Sequence, residues 1–151
     1  MIKTITDIKF FSGIAIVTLN NIPNNPNSIA QILGIISEND ISIDMISQTA
    51  PYKDSINLSF TLSEDDLAAV IGLTGKFKSL SPQISADING YNTKILLSGE
   101  GMRYEPGVAA ELFALLAEKD IQVKLITTAE TEISCLIDIK DADTAKSILN
   151  A

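Results

Sequence analysis

The sequence contains no histidine, one cysteine and one arginine, and these shortages exclude several kinds of protein. Without histidine there is neither imidazole acid/base catalysis nor a histidine ligand for a metal. The phosphate-binding motifs G-x-x-x-x-G-K-[ST] and G-x-G-x-x-G and the nucleophile motif G-x-S-x-G are also missing. Cys135 excludes a disulfide framework within one chain, and its alternation with Ile133 and Ile137 predicts a buried strand. We therefore expect no metal and no other cofactor.

Positive charge is scarce as well. The 19 acidic residues outnumber the 11 basic ones, which leaves a net charge of -8. A chain without a Lys/Arg cluster has no surface that tracks a phosphate backbone, so we expect no nucleic-acid partner. No apolar run is long enough for a membrane span, and the N-terminus does not resemble a signal peptide. We expect a cytoplasmic protein without a membrane partner.

What the sequence does have is enough apolar residues for a folded core. It is 46% hydrophobic and 20% charged over 151 residues, which excludes disorder and suits two small domains. A domain of about 75 residues buries a smaller fraction of its surface than a larger domain does, so it is only marginally stable alone. Extensive contact between the two domains, or between chains, is therefore expected.

One unit occurs twice in the chain. Residues 22–50 align without a gap with residues 102–130. In each copy a loop with a proline (Pro26, Pro106) leads into an apolar-periodic helix, then an Asn/Lys-Asp-Ile turn and a β-branched strand. This duplication favours a paired small-molecule site over a catalytic centre.

The periodicity predicts the order strand, helix, strand, strand, helix, strand for the first copy. The predicted segments are strands at 14–20, 41–49, 56–60 and 83–89, with helices from Ser28 to Asn39 and after a Ser63 cap. The second copy repeats this with strands at 93–98, 121–128 and 132–138, a helix at 106–119 and a last helix from Asp141. It ends one strand short. We expect the alternating residues 2–9 to supply that strand, with a chain reversal at residues 11–13.

Two segments carry a resemblance to a known family. Residues 17–48 resemble the first ACT domain of the aspartokinase regulatory region, and residues 96–138 resemble its second ACT domain. The most specific stretches are Gly-Glu-Gly-Met-Arg at 99–103 and Pro-Gly-Val-Ala-Ala at 106–110. The resemblance implies an α+β fold of two ferredoxin-like βαββαβ ACT domains with antiparallel sheets. One domain would span 13–91, and the other would combine 2–10 with 92–151.

The same resemblance implies a function. It suggests a regulatory module without a catalytic domain, free-standing, that senses lysine or threonine. The module would form a homodimer through its ACT domains and control an enzyme of aspartate-family amino-acid biosynthesis, such as an aspartokinase catalytic chain.

The residues themselves suggest how an amino acid could bind. A loop that leads into a helix presents unpaired backbone N–H groups, which suit a carboxylate, and residues 24–27 are placed for this. Asp44 on the neighbouring strand could accept the ammonium group, with Gln48 on the same strand face. At the position of Asp44 the second copy has Lys124, which would repel an ammonium. An ordinary turn and a solvated Asp44 are the alternative.

By the resemblance, effectors lie between the loop and helix of one ACT domain and the strand of another. The positions that this implies are Asn24, Pro26, Asn27, Ile29, Ala30, Asp44, Met45, Gln48, Gln122 and Val123. Met102, Val108 and Ala109 would contribute from the second copy, and Thr128 and Glu130 match a further family strand.

Two other readings remain open. Acylphosphatases also have a ferredoxin-like fold and use an arginine with an asparagine, so Arg103 could hold a phosphate. However, fold alone does not establish function, and Glu105 would repel an anion. The chain could also be a degenerate module that only holds a complex together.

Overall fold

The computed structural model describes residues 2–150, which form two compact units. The central unit spans Gly13–Gly90, and the terminal unit combines the residues up to Ser12 with those from Tyr91 onward. The elements are β1 (Asp7–Pro23), α1 (Pro26–Glu38), β2 (Ile46–Gln48), β3 (Ser55–Ser63), α2 (Leu67–Leu80), β4 (Ser85–Ser98), α3 (Val108–Glu118), β5 (Leu125–Thr128), β6 (Glu132–Asp138) and α4 (Ala142–Leu149). Short 3-10 turns precede α2, α3 and α4.

In the central unit the strand order is β2-β3-β1-β4. β3 pairs antiparallel with both neighbours, so that Phe60 lies opposite Val17 on one side and Ile46 on the other. Alternate residues of β3 point inward, which buries Ile56 and Leu58 along with Phe60. Helices α1 and α2 pack together over this core.

The terminal unit repeats the arrangement with the strand order β1-β4-β6-β5. β4 pairs antiparallel with β6, and Ile95 lies opposite Cys135, which is fully buried as predicted. Helices α3 and α4 pack together here. The fold class is therefore confirmed: both units have the βαββαβ pattern, and the N-terminal strand completes the second one.

The repeated Asn/Lys-Asp-Ile turn ends both long helices in the same way. Asp40 and Asp120 adopt left-handed φ angles of 56° and 54°. The N–H of Ile41 donates to the carbonyl of Ile36, and the N–H of Ile121 donates in the same way to that of Leu116. This is a Schellman motif, in which the residue after the helix satisfies its last carbonyl groups. Here the sequence repeat translates directly into a structural one.

The predicted strand at 41–49 is much shorter in the structure. Only Ile46–Gln48 forms β2. Just before it, the side-chain oxygen of Thr61 accepts the hydrogen bond of the Met45 N–H at 2.9 Å. The backbone of Thr61 also pairs with two residues, because its carbonyl accepts from the Asp44 N–H at 3.1 Å and its N–H donates to the Met45 carbonyl at 2.9 Å. Regular one-to-one pairing therefore begins only at Ile46.

The predicted chain reversal at residues 11–13 is wrong. β1 runs through this point as one strand of 17 residues, and it begins at Asp7 instead of Ile2. The separate strands predicted at 83–89 and 93–98 are likewise one strand, β4. Gly13 and Tyr91 have positive φ angles of 71° and 59°, which bend each strand without ending it.

A pair of glycine substitutions tests this bend in β1. Gly13→Ala should lower the free energy of unfolding by about 1–2 kcal/mol, because a side chain disfavours the left-handed φ. In the control, Gly34→Ala within α1, the new Cβ meets no described atom within 4 Å. It should raise stability by about 0.5–1 kcal/mol, because alanine favours a helix. Urea unfolding measures both, and a stabilising Gly13→Ala would contradict the bend.

Candidate functional site

The loop between β1 and α1 is the first predicted site. The N–H of Asn24 donates to the carbonyl of Asp54 at 3.0 Å, which ties the loop to the β2–β3 hairpin. Asn25 caps α1, since its side-chain oxygen accepts from the N–H of Ser28 at 2.9 Å. Pro26 is the first helical residue and has no N–H to offer.

These caps leave few backbone N–H groups at the start of α1 that could bind an anionic ligand. Of the first-turn N–H groups of α1, the one on Ser28 is used by Asn25, and Pro26 has none. The helix geometry leaves only the N–H of Asn27 without an internal acceptor. The N-terminus of α1 is therefore largely satisfied by its own side chains.

Asp44 does not lie beside this loop within the central unit. In the sheet, β3 lies between β2 and β1, and β2 pairs with β3 as a hairpin. The Asp44 N–H donates to Thr61, whereas Pro23 at the loop is opposite Ser55, six positions away along β3. At about 3.3 Å per residue this is roughly 20 Å. One amino-acid ligand cannot bridge that distance.

The other predicted positions of the central unit differ in exposure. Met45 is buried, with 3% of its surface exposed, and Ile29 is half-buried against the core. The exposed ones are Asn24, Pro26, Asn27, Ala30, Asp44 and Gln48. Asn27 and Ala30 share a surface groove of about 450 Å³ along α1, away from Asp44.

The corresponding helix of the terminal unit begins differently. Gly107, with a left-handed φ of 93°, takes the cap position of α3 and contributes no side-chain hydrogen bond. The first-turn N–H groups of Val108, Ala109 and Ala110 therefore lack both an intrahelical acceptor and a capping side chain. This helix start presents more unsatisfied donors than that of α1.

The loop that leads to α3 also borders a cavity of about 480 Å³. Its lining residues are Met102, Arg103, Tyr104, Ala129 and Glu130. Arg103 forms ion pairs with Glu130 and, at 3.2 Å, with Glu100. A guanidinium and a carboxylate thus line the same cavity, and together they match the carboxylate and the ammonium of an amino acid.

Sequence reasoning found only part of this cavity. Met102 and Glu130 were predicted effector positions, whereas Arg103 was considered only for phosphate. The available signal was that Arg103 is the only arginine of the chain and belongs to the Gly-Glu-Gly-Met-Arg stretch. Its two carboxylate neighbours would repel a phosphate, which disfavours the acylphosphatase-like alternative.

The remaining predicted positions of the terminal unit lie elsewhere. Val108 is buried and Val123 is half-buried against the core. The exposed ones are Ala109, Gln122 and Thr128. Gln122 borders a second cavity of about 480 Å³, near the end of α3.

Lys124 borders that second cavity, but the protein supplies partners for its ammonium. Lys124 Nζ donates to Asn92 Oδ1 at 2.6 Å and to Asp138 Oδ2 at 3.4 Å. The Asp138 carboxylate also accepts from the N–H of Lys140 at 3.0 Å. This backbone hydrogen bond, aided by the charge of Lys124, lowers the pKa of Asp138 below its usual 3.8. Lys124, which replaces the negative charge of Asp44 by a positive one, thus makes contacts within the protein, with Asn92 and Asp138.

Other chemistry finds little support in the described part of the chain. Residues 2–150 hold no cluster of His, Cys, Asp or Glu side chains suited to a metal ion. Within the same range, no helix has the length and apolar character needed to cross a membrane. Burial raises the pKa of the Cys135 thiol to about 12, so it is not a reactive thiolate.

Comparison with known proteins relates this geometry to one family. A family model described as ACT domain matches residues 95–151. The aspartokinase of a Bacillus species is 32% identical over 131 residues, which make up 87% of this chain and 32% of that protein. The chain thus spans about a third of the length of the curated relatives it matches.

Solved structures show the same relation. One chain of a crystal structure of aspartokinase alpha and beta subunits is 32% identical, with a TM-score of 0.84. The match covers 96% of this chain and 95% of that one. The regulatory subunit of aspartate kinase from Thermus flavus shares the fold, with a TM-score of 0.88 at 23% identity over 98% of this chain and 97% of that one.

The lowered pKa of Asp138 predicts how its contribution depends on pH. Because the folded pKa lies below 3.8, the carboxylate stabilises the fold above that pH, and this stability is lost as the pH falls through the folded value. Asp138→Asn should therefore be less stable than the wild type at neutral pH. The difference should shrink to nothing under acidic conditions.

Urea unfolding at a series of pH values measures this difference. The control is Asp7→Asn, because Asp7 forms an exposed ion pair with Lys9 at 3.6 Å and should contribute little at any pH. A constant difference between wild type and Asp138→Asn down to the lowest pH would contradict the prediction.

Proposed function

The chain belongs to the aspartokinase family, in the regulatory part formed by ACT domains, and we propose that it senses an amino acid and controls an aspartokinase catalytic chain. The family relation extends over nearly the whole length of this chain and of a solved aspartokinase subunit chain. Control of a catalytic chain is the role that this relation favours, because the residues of this chain correspond to a regulatory subunit in fold.

The proposal includes the domain organisation. We assign residues 13–91 to one ACT domain and residues 2–10 with 92–151 to the other. The family model supports the second assignment, and the compact units divide at Ser12/Gly13 and Gly90/Tyr91, close to these limits. A homodimer through ACT domains is part of the same proposal, since small domains gain stability from extensive contacts.

The cavity beside Arg103 is the observation that supports amino-acid binding most directly. Arg103 and Glu130 bring opposite charges to one cavity of about 480 Å³. A free amino acid would replace their ion pair, with its carboxylate on Arg103 and its ammonium on Glu130. Met102 supplies an apolar wall.

Lysine or threonine is the proposed effector, and the charge of the protein favours lysine. The net charge of -8 attracts a cation. Asp44 is exposed and contributes a further negative charge at a different position.

Thermal unfolding in the presence of each of the twenty amino acids tests the sensing role. An effector at 100 times its dissociation constant should stabilise the fold by about 2.7 kcal/mol, because it binds only the folded state. Lysine or threonine should raise the melting temperature, whereas glycine serves as a matched amino acid without a side chain. No stabilisation by any of them would contradict the proposal, and a co-purifying partner without a ligand would favour an interaction module.

A matched pair of glutamate substitutions tests the cavity itself. Glu130→Gln should weaken effector binding by about 10- to 100-fold, since it removes the negative charge that pairs with the ammonium. Glu100→Gln is the control: Glu100 contacts Arg103 but does not line the cavity. Its effect on affinity should be small. Calorimetry measures both, and equal effects would assign the ligand to another place.

A further inference from the structure

The first residues of the chain adopt a defined structure before β1 begins. Ile2 and Ile5 are buried, with 2% and 4% of their surfaces exposed, and both belong to the core of the terminal unit. The Ile5 N–H donates to the carbonyl of Ile2 at 3.1 Å. The Thr6 N–H donates to the carbonyl of Ser98 at 2.9 Å, at the start of the loop before α3. We call residues 2–6 the strap.

Two glycines of that loop lie directly under the strap. A Cβ at Gly99 would be 2.0 Å from the carbonyl oxygen of Thr4, which is backbone and cannot swing away. A Cβ at Gly101 would be 3.2 Å from Thr4 Cγ2, a tight contact that a small shift relieves. Gly99 has an extended φ of 177°, which any residue adopts. The strap, and not the backbone angle, therefore requires Gly99 to lack a side chain.

A third contact joins the strap to the far end of the same loop. Lys3 Nζ lies 3.8 Å from Glu105 Oε1, and both side chains are well exposed. Such a pair adds little stability in water. It adds a contact at Glu105 to those that the strap makes at Ser98, Gly99 and Gly101.

This loop carries three of the five residues that line the Arg103 cavity: Met102, Arg103 and Tyr104. We propose that the strap is a positioning element, which holds these three residues in place and so sets the shape of the cavity. Any event that moves the strap then alters the cavity. By thermodynamic reciprocity, a ligand in the cavity alters the stability of the strap. Only this last step rests on the proposed function.

One buried polar group of the strap makes its packing against the loop less favourable, so the strap can move away from the loop more easily. Among the residues that the structure describes, the buried hydroxyl of Thr4 has no hydrogen-bond partner. A buried polar group without a partner costs free energy that the seated strap must offset. Thr4→Val keeps the shape and removes this cost, so it should hold the strap more firmly.

Amide hydrogen exchange of the full chain tests the strap without any ligand. In Gly99→Ala, the amides of Ile5 and Thr6 should exchange about tenfold faster or more, because the new Cβ displaces the Thr4 backbone. The loop amides of Met102 and Tyr104 should accelerate with them, whereas α1 and β3 should not change. In Thr4→Val, both groups of amides should exchange more slowly. The control is Gly75→Ala in α2, where a Cβ meets no described atom within 4 Å.

If Gly99→Ala does not fold, the milder Gly101→Ala and, from the strap side, Ile2→Ala decide the same question. Each should loosen the strap and the loop together. A folded variant whose strap loosens while the loop keeps wild-type exchange would overturn the proposal, as would unchanged exchange at Ile5 and Thr6 in Gly99→Ala.

The last hydrogen-exchange measurement is made with lysine or threonine added as the probe. Either should slow exchange in the loop and in the strap together, and slowing in the loop alone would overturn the coupling. If neither changes exchange anywhere, the proposed function fails, whereas the variants still decide whether the strap positions the loop.

Discussion

Each unit needs four strands to cover two helices, and two shared strands satisfy this requirement. β1 and β4 each contribute residues to both the central and the terminal unit. Without residues 7–12, β4 would form the open edge of the terminal sheet, with unpaired backbone groups. The positive φ angles of Gly13 and Tyr91 fall where β1 and β4 pass from one unit to the other along the chain. The cores and the strap both depend on this arrangement.

The two copies of the repeat share a backbone but differ in how they satisfy their helix ends. Both long helices end in the same Schellman motif, because the Asp-Ile turn is retained. At the start, the side chain of Asn25 closes α1, whereas Gly107 leaves α3 open. The charges have diverged in the same way: Asp44 is exposed, and Lys124 contacts Asn92 and Asp138. The terminal unit therefore combines an open helix start with a charged cavity.

The strap explains why residues 99 and 101 are glycines. A Cβ at Gly99 would overlap the carbonyl oxygen of Thr4, and a Cβ at Gly101 would make a tight contact with the Thr4 side chain. In the structure, residues 99–103 contact the strap, which therefore lies beside the loop that carries Arg103.

The sequence by itself determined the repeat, the helix ends, the buried position of Cys135 and the βαββαβ pattern, because apolar periodicity and turn residues act over a few neighbouring positions. It also indicated Met102 and Glu130. Only the tertiary structure decided the continuity of β1 and β4, the distance between Asp44 and the loop at residue 24, and the cavity around Arg103. Strand order and backbone overlap join residues that are far apart in the chain, such as Thr4 and Gly99, and no local pattern records them.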